Sequence, residues 1–405
     1  MDSSTSAPVR PSGAGTAGCT SWWQWVAVAV LSLSTFVVVT SEMLPVGVLT
    51  PMADGLRISP GTAGFSLAIT GLVTAVAAPV VPRLLGGLDR RVVLAAAMVV
   101  LAGGNALTAV SDGFGLLVVS RAVLGVGMGA VWGLAAAVAA RLVAPRNAAL
   151  AVSFAVGGVA GASVAGVPLG TLVGDAFGWR AAFAVLSATA VLLAAALLLT
   201  LPRLPRPAAG PATAVSGTSL LRTPAVLGGL TVIALLVTAH FAAYTYVRPV
   251  LEERAGLTPA AVAVVLLVYG VFGLVGNFAA GALAARRPRA TVLGLAAGIG
   301  AAIVVLALAG GVAGAAGAGV ALWGVAYGGL SVAGQIWMTR SAPDRAERVT
   351  GLYVGVFTAA IALGAYLGGV VVEAAGITPL LWGSAALAGA ALVAGLLAKK
   401  VRGGV

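Results

Sequence analysis

Residues 25–50 read WVAVAVLSLSTFVVVTSEMLPVGVLT, an apolar run whose only ionisable group is Glu42. A hydrocarbon core of ~30 Å takes roughly 20 apolar residues of helix, so a run of this length reads as a membrane span. A carboxylate inside such a span is costly unless it is partnered, which makes Glu42 the first candidate for function. The run is too long for the apolar region of a signal peptide and has no clear small-residue cleavage site, so it is expected to be retained.

Working outward, similar runs recur between charged or Pro/Gly breaks. They predict spans near 25–50, 62–82, 92–110, 114–139, 148–174 and 180–201, then near 224–247, 259–283, 290–310, 314–339, 349–372 and 377–398. The composition agrees: 60% of residues are hydrophobic, 8% are charged, and the mean hydropathy is +1.09. These values exclude a soluble globular domain and predict an all-α membrane protein with twelve transmembrane helices. The abundance of Gly and Ala predicts close helix contacts.

The net charge of +12 does not point to nucleic acid, because the arginines sit in short loops and form no basic domain. Loops on the side of the N terminus hold Arg83, Arg90, Arg91, Arg141, Arg146, Arg286, Arg287, Arg340 and Arg345, whereas the other side has only Arg57, Arg180, Arg248 and Arg254. By the positive-inside rule both termini are expected in the cytoplasm, with the chain multi-pass in a cell membrane. Arg121 alone among the basic residues falls within a span. The lone Cys19 lies in a polar tail, so neither an internal disulfide nor a cysteine-rich metal site is expected.

The halves match at a shift of 198 or 199 positions. Ser59-Pro60 aligns with Thr258-Pro259, Gly71 with Gly270 and Arg90 with Arg289. Later, Gly166, Leu169, Gly170, Asp175 and Gly178 align with Gly364, Leu367, Gly368, Glu373 and Gly376. The expected organisation is a cytoplasmic tail 1–20, a six-helix bundle 21–201, a Pro-rich linker 202–223, a second, pseudo-symmetric six-helix bundle 224–400 and a tail 401–405.

Three motifs then converge. The first span carries Thr40-Ser41-Glu42-Met43-Leu44-Pro45-Val46-Gly47; the fourth carries Arg121 followed by Gly125, Gly127 and Gly129; the fifth carries Gly161, Gly166, Val167, Pro168, Leu169, Gly170 and Thr171. In order and spacing they resemble the major facilitator superfamily, and within it the twelve-span drug/proton antiporters and the arabinose- or sugar-efflux permeases. The resemblance implies the major facilitator fold, a buried arginine tied to proton coupling, and a fifth-span motif associated with exporters. One loop departs from the family pattern. Aligning Arg90-Arg91 on the end of Gly-x-x-x-Asp-Arg-x-Gly-Arg-Arg puts Pro82 at the first glycine and Gly86 at the aspartate, with Asp89 nearby but out of register. Asp89, Arg90 and Arg91 are still carried forward as a cytoplasmic gate.

If the first and fourth spans line one cavity, as the resemblance implies, Arg121 favours the charged form of Glu42 while loss of water favours the neutral form. A carboxylate pulled both ways can load and release protons; a fixed ion pair or interhelical hydrogen bond holding the bundle together is the alternative. His240, the only histidine, aligns with Glu42 in the repeat and is expected to contact substrate rather than relay a proton. Arg121, Gly125, Met128 and Trp132 share one helical face, and Trp323, Tyr327, Ser331 and Gln335 share another; Tyr244 stands one turn beyond His240. Aromatics with a few hydrogen-bonding groups suit a small organic ligand without dense charge. Gly161, Gly166, Pro168, Gly170, Gly364 and Gly368 are expected to form a compliant seam between the halves.

The only lysines are Lys399 and Lys400, so no phosphate-cradling loop exists, and one intramembrane acid with one histidine is too little for a hydrolase. The expectation is a non-enzymatic, monomeric bacterial transporter with no cofactor and no metal. Its partners are a small-molecule substrate, protons and the lipid bilayer. It would export a drug-like compound or sugar by proton antiport and alternating access, with import or uniport of a small solute as the alternative.

Overall fold

A computed structural model describes residues 20–85, 88–204 and 223–398. The expected tails 1–20 and 401–405 and linker 202–223 lie wholly or largely outside these residues, as does Gly86.

Among the described residues, twelve helices are long and apolar enough to cross a membrane. The first six are α1 (Trp22–Gly47), α2 (Pro60–Ala78), α3 (Arg90–Ala109), α4 (Phe114–Leu142), α5 (Leu150–Phe177) and α6 (Trp179–Thr200). The second six are α7 (Pro224–Tyr244), α8 (Pro259–Ala284), α9 (Pro288–Ala309), α10 (Ala313–Ser341), α11 (Val349–Ala375) and α12 (Ile377–Leu397). Among the described residues there is no strand, as a lipid environment requires: a helix satisfies its own backbone groups, and an open sheet edge does not. The starts are written locally. Ser21 and Gln24 form a capping box at α1, Asp89 caps α3, and Thr258 caps α8 with Pro259 as the first helical residue.

The sequence repeat reappears in the backbone. Short helices follow α1 (Leu49–Leu56) and α7 (Val247–Ala255), and both end on a left-handed residue, Arg57 at φ 56° and Gly256 at φ 61°. Gly178 between α5 and α6 has φ 89°, and Gly376 between α11 and α12 has φ 86°. The apolar interior divides likewise into two cores. One is built from α1–α6 with a few residues of the other half, the second from α7–α12 with Val46, Leu67, Ala68 and Val167 contributed across the boundary.

Two spans are not the uninterrupted helices expected. α5 passes through a π turn at Ala162–Gly166, and α10 breaks at Gly329 between Ala313–Gly328 and Leu330–Ser341. The bundles meet where α8 lies on α5, with Gly270 directly against the backbone of Ser163 and Val164 in the π turn. They meet again where α2 lies on α11, with Phe65 and Tyr366 edge to face at 5.5 Å.

The helices that carry the expected seam residues, α5 and α11, do meet the other bundle, but those glycines look into their own. Gly161, Gly166 and Gly170 face Phe36, Thr40 and Leu44 of α1, while Gly364 and Gly368 face Thr238, Phe241 and Ala242 of α7. Pro168 is buried at the start of the helical segment after the π turn. These small residues let α1 and α5, and α7 and α11, approach closely inside each bundle.

Candidate functional site

Glu42 sits in the last two turns of α1, three residues before Pro45, and is 6% exposed. Among the described residues its carboxylate accepts no hydrogen bond and lies within 4.0 Å of no basic group. Arg121 of α4 is completely buried, and its Nη1 donates to the backbone carbonyl of Ser41 at 3.1 Å. Its guanidinium carbon stands 4.9 Å from the centre of the Phe183 ring, a cation–π contact supplied by α6. From α3, Asn105 donates through Nδ2 to the Ser41 hydroxyl at 2.9 Å.

Two buried side chains therefore hold the α1 backbone one residue before Glu42 and leave the carboxylate free. Glu42 and Arg121 still feel each other's charge, as buried charges do at distances beyond contact. Glu42 and Arg121 form no ion pair, while the Arg121–Ser41 contact is an interhelical hydrogen bond of the kind the alternative reading allowed. Arg121 Nε and Nη2, Asn105 Oδ1 and Thr40 Oγ1 are buried with no partner among the described residues, so polar groups with spare capacity surround this stretch of α1.

In the C-terminal bundle an aromatic cluster surrounds His240 of α7. Tyr327 stacks on the imidazole, with ring centres 3.5 Å apart and planes 4° from parallel. Tyr244 covers it at 5.1 Å and 19°. Trp323 meets the ring edge to face at 5.4 Å, and Phe241 does so at 4.8 Å. Tyr269 of α8, which the sequence reading did not single out, stacks on Tyr244 at 4.7 Å and brings its hydroxyl to 3.5 Å from His240 Nε2. Met43 and Val46 of α1 pack on the C-terminal core to which this cluster belongs. Glu42 and His240 are paired by the sequence repeat.

The other expected ligand contacts are placed differently. Gly125 lies against Thr70 and Val73 of α2, while buried Met128 and half-buried Trp132 pack in the N-terminal core. Of the face expected to run from Trp323 through Gln335, Trp323 and Tyr327 join His240, while Ser331 and Gln335, past Gly329, are exposed.

At the end of the bundles where α1 finishes, charged groups cross from one half to the other. Arg248, in the short helix after α7, is 3% exposed and donates to Asp175 Oδ1 of α5 at 2.9 Å, to Glu252 Oε1 at 2.8 Å and to the carbonyl of Gly47. Glu252 accepts from the Thr50 hydroxyl. Glu373 of α11 accepts from the Ser59 hydroxyl and from the Thr62 amide, the latter at 2.9 Å, at the start of α2. Asp175 and Glu373 occupy equivalent positions in the repeat, and each reaches into the opposite bundle. Tyr246 adds bonds to the carbonyls of Gly61 and Ala365. Sequence reading had left Arg248 among the loop arginines.

At the opposite end Asp89 caps α3, accepting from Arg91 N at 2.9 Å and from Leu204 N at 3.0 Å. Burial acts to raise its pKa, but those two amides and the charges of Arg91 and Arg203 outweigh it and hold the carboxyl below its ordinary value. Arg90 donates its amide to the Leu204 carbonyl, and Arg91 Nη1 reaches the Leu198 carbonyl at 3.3 Å. These bonds tie the turn between α2 and α3 to the end of α6, within one bundle.

Known proteins with similar sequences and folds were compared with this arrangement. The family model described as Major Facilitator Superfamily matches residues 31–365. The chain is 32% identical over 365 residues to the transcription regulatory protein OpdE of Pseudomonas aeruginosa, covering 90% of this chain and 91% of that one. It is also 32% identical over 355 residues to the purine ribonucleoside efflux pump NepI of Escherichia coli, covering 87% and 89%. Among solved structures, a bacterial homologue of the human lysosomal transporter Spinster, inward-facing and unoccupied, superposes with a TM-score of 0.73 at 15% identity over 93% of this chain and 97% of that one. A mutant of the nucleoside transporter NupG gives 0.73 at 14% identity over 93% and 100%. At those identities the structures speak for the fold alone, and the family model and sequence relatives carry the assignment: this chain belongs to the major facilitator superfamily.

Proposed function

We propose that the protein exports a small organic molecule, a purine ribonucleoside being the first candidate, in exchange for protons moving inward. The observation that supports this reading is the Glu42 carboxylate, buried, free of hydrogen bonds and next in the chain to the Ser41 carbonyl that Arg121 holds. A carboxylate whose neighbours do not fix its protonation can answer to water on one side of the membrane and then the other. The aromatic walls around His240 suit a flat ring with polar edges, and NepI is named for the efflux of purine ribonucleosides.

With both termini in the cytoplasm by the positive-inside rule, the end bridged by Arg248, Asp175, Glu252 and Glu373 is the outer one. Those bonds hold the outer end closed, so the structure represents the inward-facing half of the cycle. Protonation of Glu42 from outside and release inside, alternating with substrate at the aromatic wall, then couples the two fluxes.

The test uses inverted membrane vesicles energised to an acidic interior. Adding inosine should release protons promptly from vesicles carrying the wild-type protein and not from vesicles carrying Glu42→Gln. Equal release from both contradicts the role given to Glu42. Proton release that requires inosine inside the vesicles, the two leaving together, would make the protein an importer.

A further inference from the structure

Trp323 and His240 meet in a geometry that decides where the imidazole carries its proton. Trp323 Nε1–H donates to His240 Nδ1 at 2.9 Å. An indole N–H can only donate, so Nδ1 presents its lone pair and the ring proton sits on Nε2. Nε2 faces the Tyr269 hydroxyl at 3.5 Å, too long for a strong hydrogen bond.

The groups around the ring are Phe241 and Tyr244 from its own helix, Tyr269 from α8, and Trp323 and Tyr327 from α10. The stacked faces of Tyr327 and Tyr244 fix the plane of the ring, and Trp323 supplies the polar bond that chooses its tautomer.

Resting on the reading of His240 as a substrate contact, we propose that Trp323 is a positioning residue that locks His240 as the neutral Nε2–H tautomer. The C-terminal bundle then presents one imidazole donor, and the site selects a planar ligand that brings an acceptor, a carbonyl oxygen or a ring nitrogen, to replace the long contact with Tyr269. His240 does not act as a second proton carrier, because adding a proton at Nδ1 requires the indole to let go. Proton exchange is left to Glu42 on the other bundle.

His240 is the only histidine in the chain, so nitrogen-15 NMR of histidine-labelled protein, purified through a tag without histidine, reads this ring alone. The expected spectrum shows an unprotonated Nδ1 and a protonated Nε2, unchanged from pH ~5 to ~8, the interval in which a free imidazole titrates. In Trp323→Phe the single-tautomer signature should be lost and both ring nitrogens should titrate across that interval. A wild-type ring protonated at Nδ1, or a Trp323→Phe protein with the wild-type tautomer, overturns the inference. Because this readout needs no transport, it can fail while proton-coupled export stands. Conversely, a ring with the expected tautomer in a protein whose inosine transport is unaffected by His240→Ala overturns the role given to the donor.

Discussion

Arg121 makes its hydrogen bond to the Ser41 carbonyl and its cation–π contact to Phe183, and so acts on Glu42 by charge and by placing α1 rather than by contact. Glu42, Arg121 and His240 were legible in the sequence because each is a lone polar group of its kind in apolar spans, where isolation is itself the signal. Asn105, Tyr269 and Arg248 were not. An amide in a Gly/Ala-rich span and a tyrosine between Val268 and Gly270 look like packing until a partner from another helix is seen, and Arg248 looks like a topology determinant until its helix folds across the interface. Asp89 gives a pH-dependent prediction at this scale. Its folded pKa lies below the ordinary value, so its contribution to stability is present above the unfolded pKa and is lost as pH falls through the folded one. Asp89→Ala should cost about 1 kcal/mol near neutral pH, as loss of an N-cap does. Thermal melts of the two proteins in detergent should converge as the pH is lowered below ~4. A gap that stays constant into acid would remove the carboxylate from the account.

Among the elements, hydropathy located every span because the bilayer fixes their length, but it could not locate the π turn in α5 or the break in α10, which change hydrogen-bond register without changing polarity. The break falls between the pair Trp323 and Tyr327, which join the His240 cluster, and the pair Ser331 and Gln335, which are exposed. The π turn matters for the boundary between bundles, because it presents the backbone of Ser163 and Val164 to Gly270 of α8. A side chain at Gly270 would occupy space already filled by that backbone. Gly270→Val should therefore destabilise the closed packing of α5 on α8 by about 1–3 kcal/mol, the usual cost of overpacking, seen as a lower melting temperature. Gly281→Val, on the same helix but in ordinary contact with the Val332 side chain, should cost much less. Equal effects of the two substitutions would mean that the approach at the π turn is not tight.

For the whole molecule, the repeat predicted two similar bundles, and the structure carries that symmetry into paired backbone turns at Gly178 and Gly376 and into reciprocal acidic arms, Asp175 and Glu373. What a repeat cannot state is which ends of the bundles touch, since that depends on the state of the cycle. The bridge at Arg248 links Asp175, Glu252 and Gly47, so Arg248→Ala leaves two carboxylates near one another and should shift the population toward a state open at this end; each ~1.4 kcal/mol lost moves the ratio tenfold. Spin labels at the exposed positions Asp54 and Glu253, in a background with Cys19 replaced by Ser, should report a longer distance in Arg248→Ala than in the parent. An unchanged distance distribution would deny the bridge any part in closure. The central claim, that Glu42 couples proton movement to alternating access, is tested most directly in proteoliposomes by comparing inosine exchange with inosine transport driven by a pH gradient. The account predicts that Glu42→Gln keeps exchange and loses gradient-driven transport; gradient-driven transport in Glu42→Gln at the wild-type rate and with the wild-type pH dependence would contradict it.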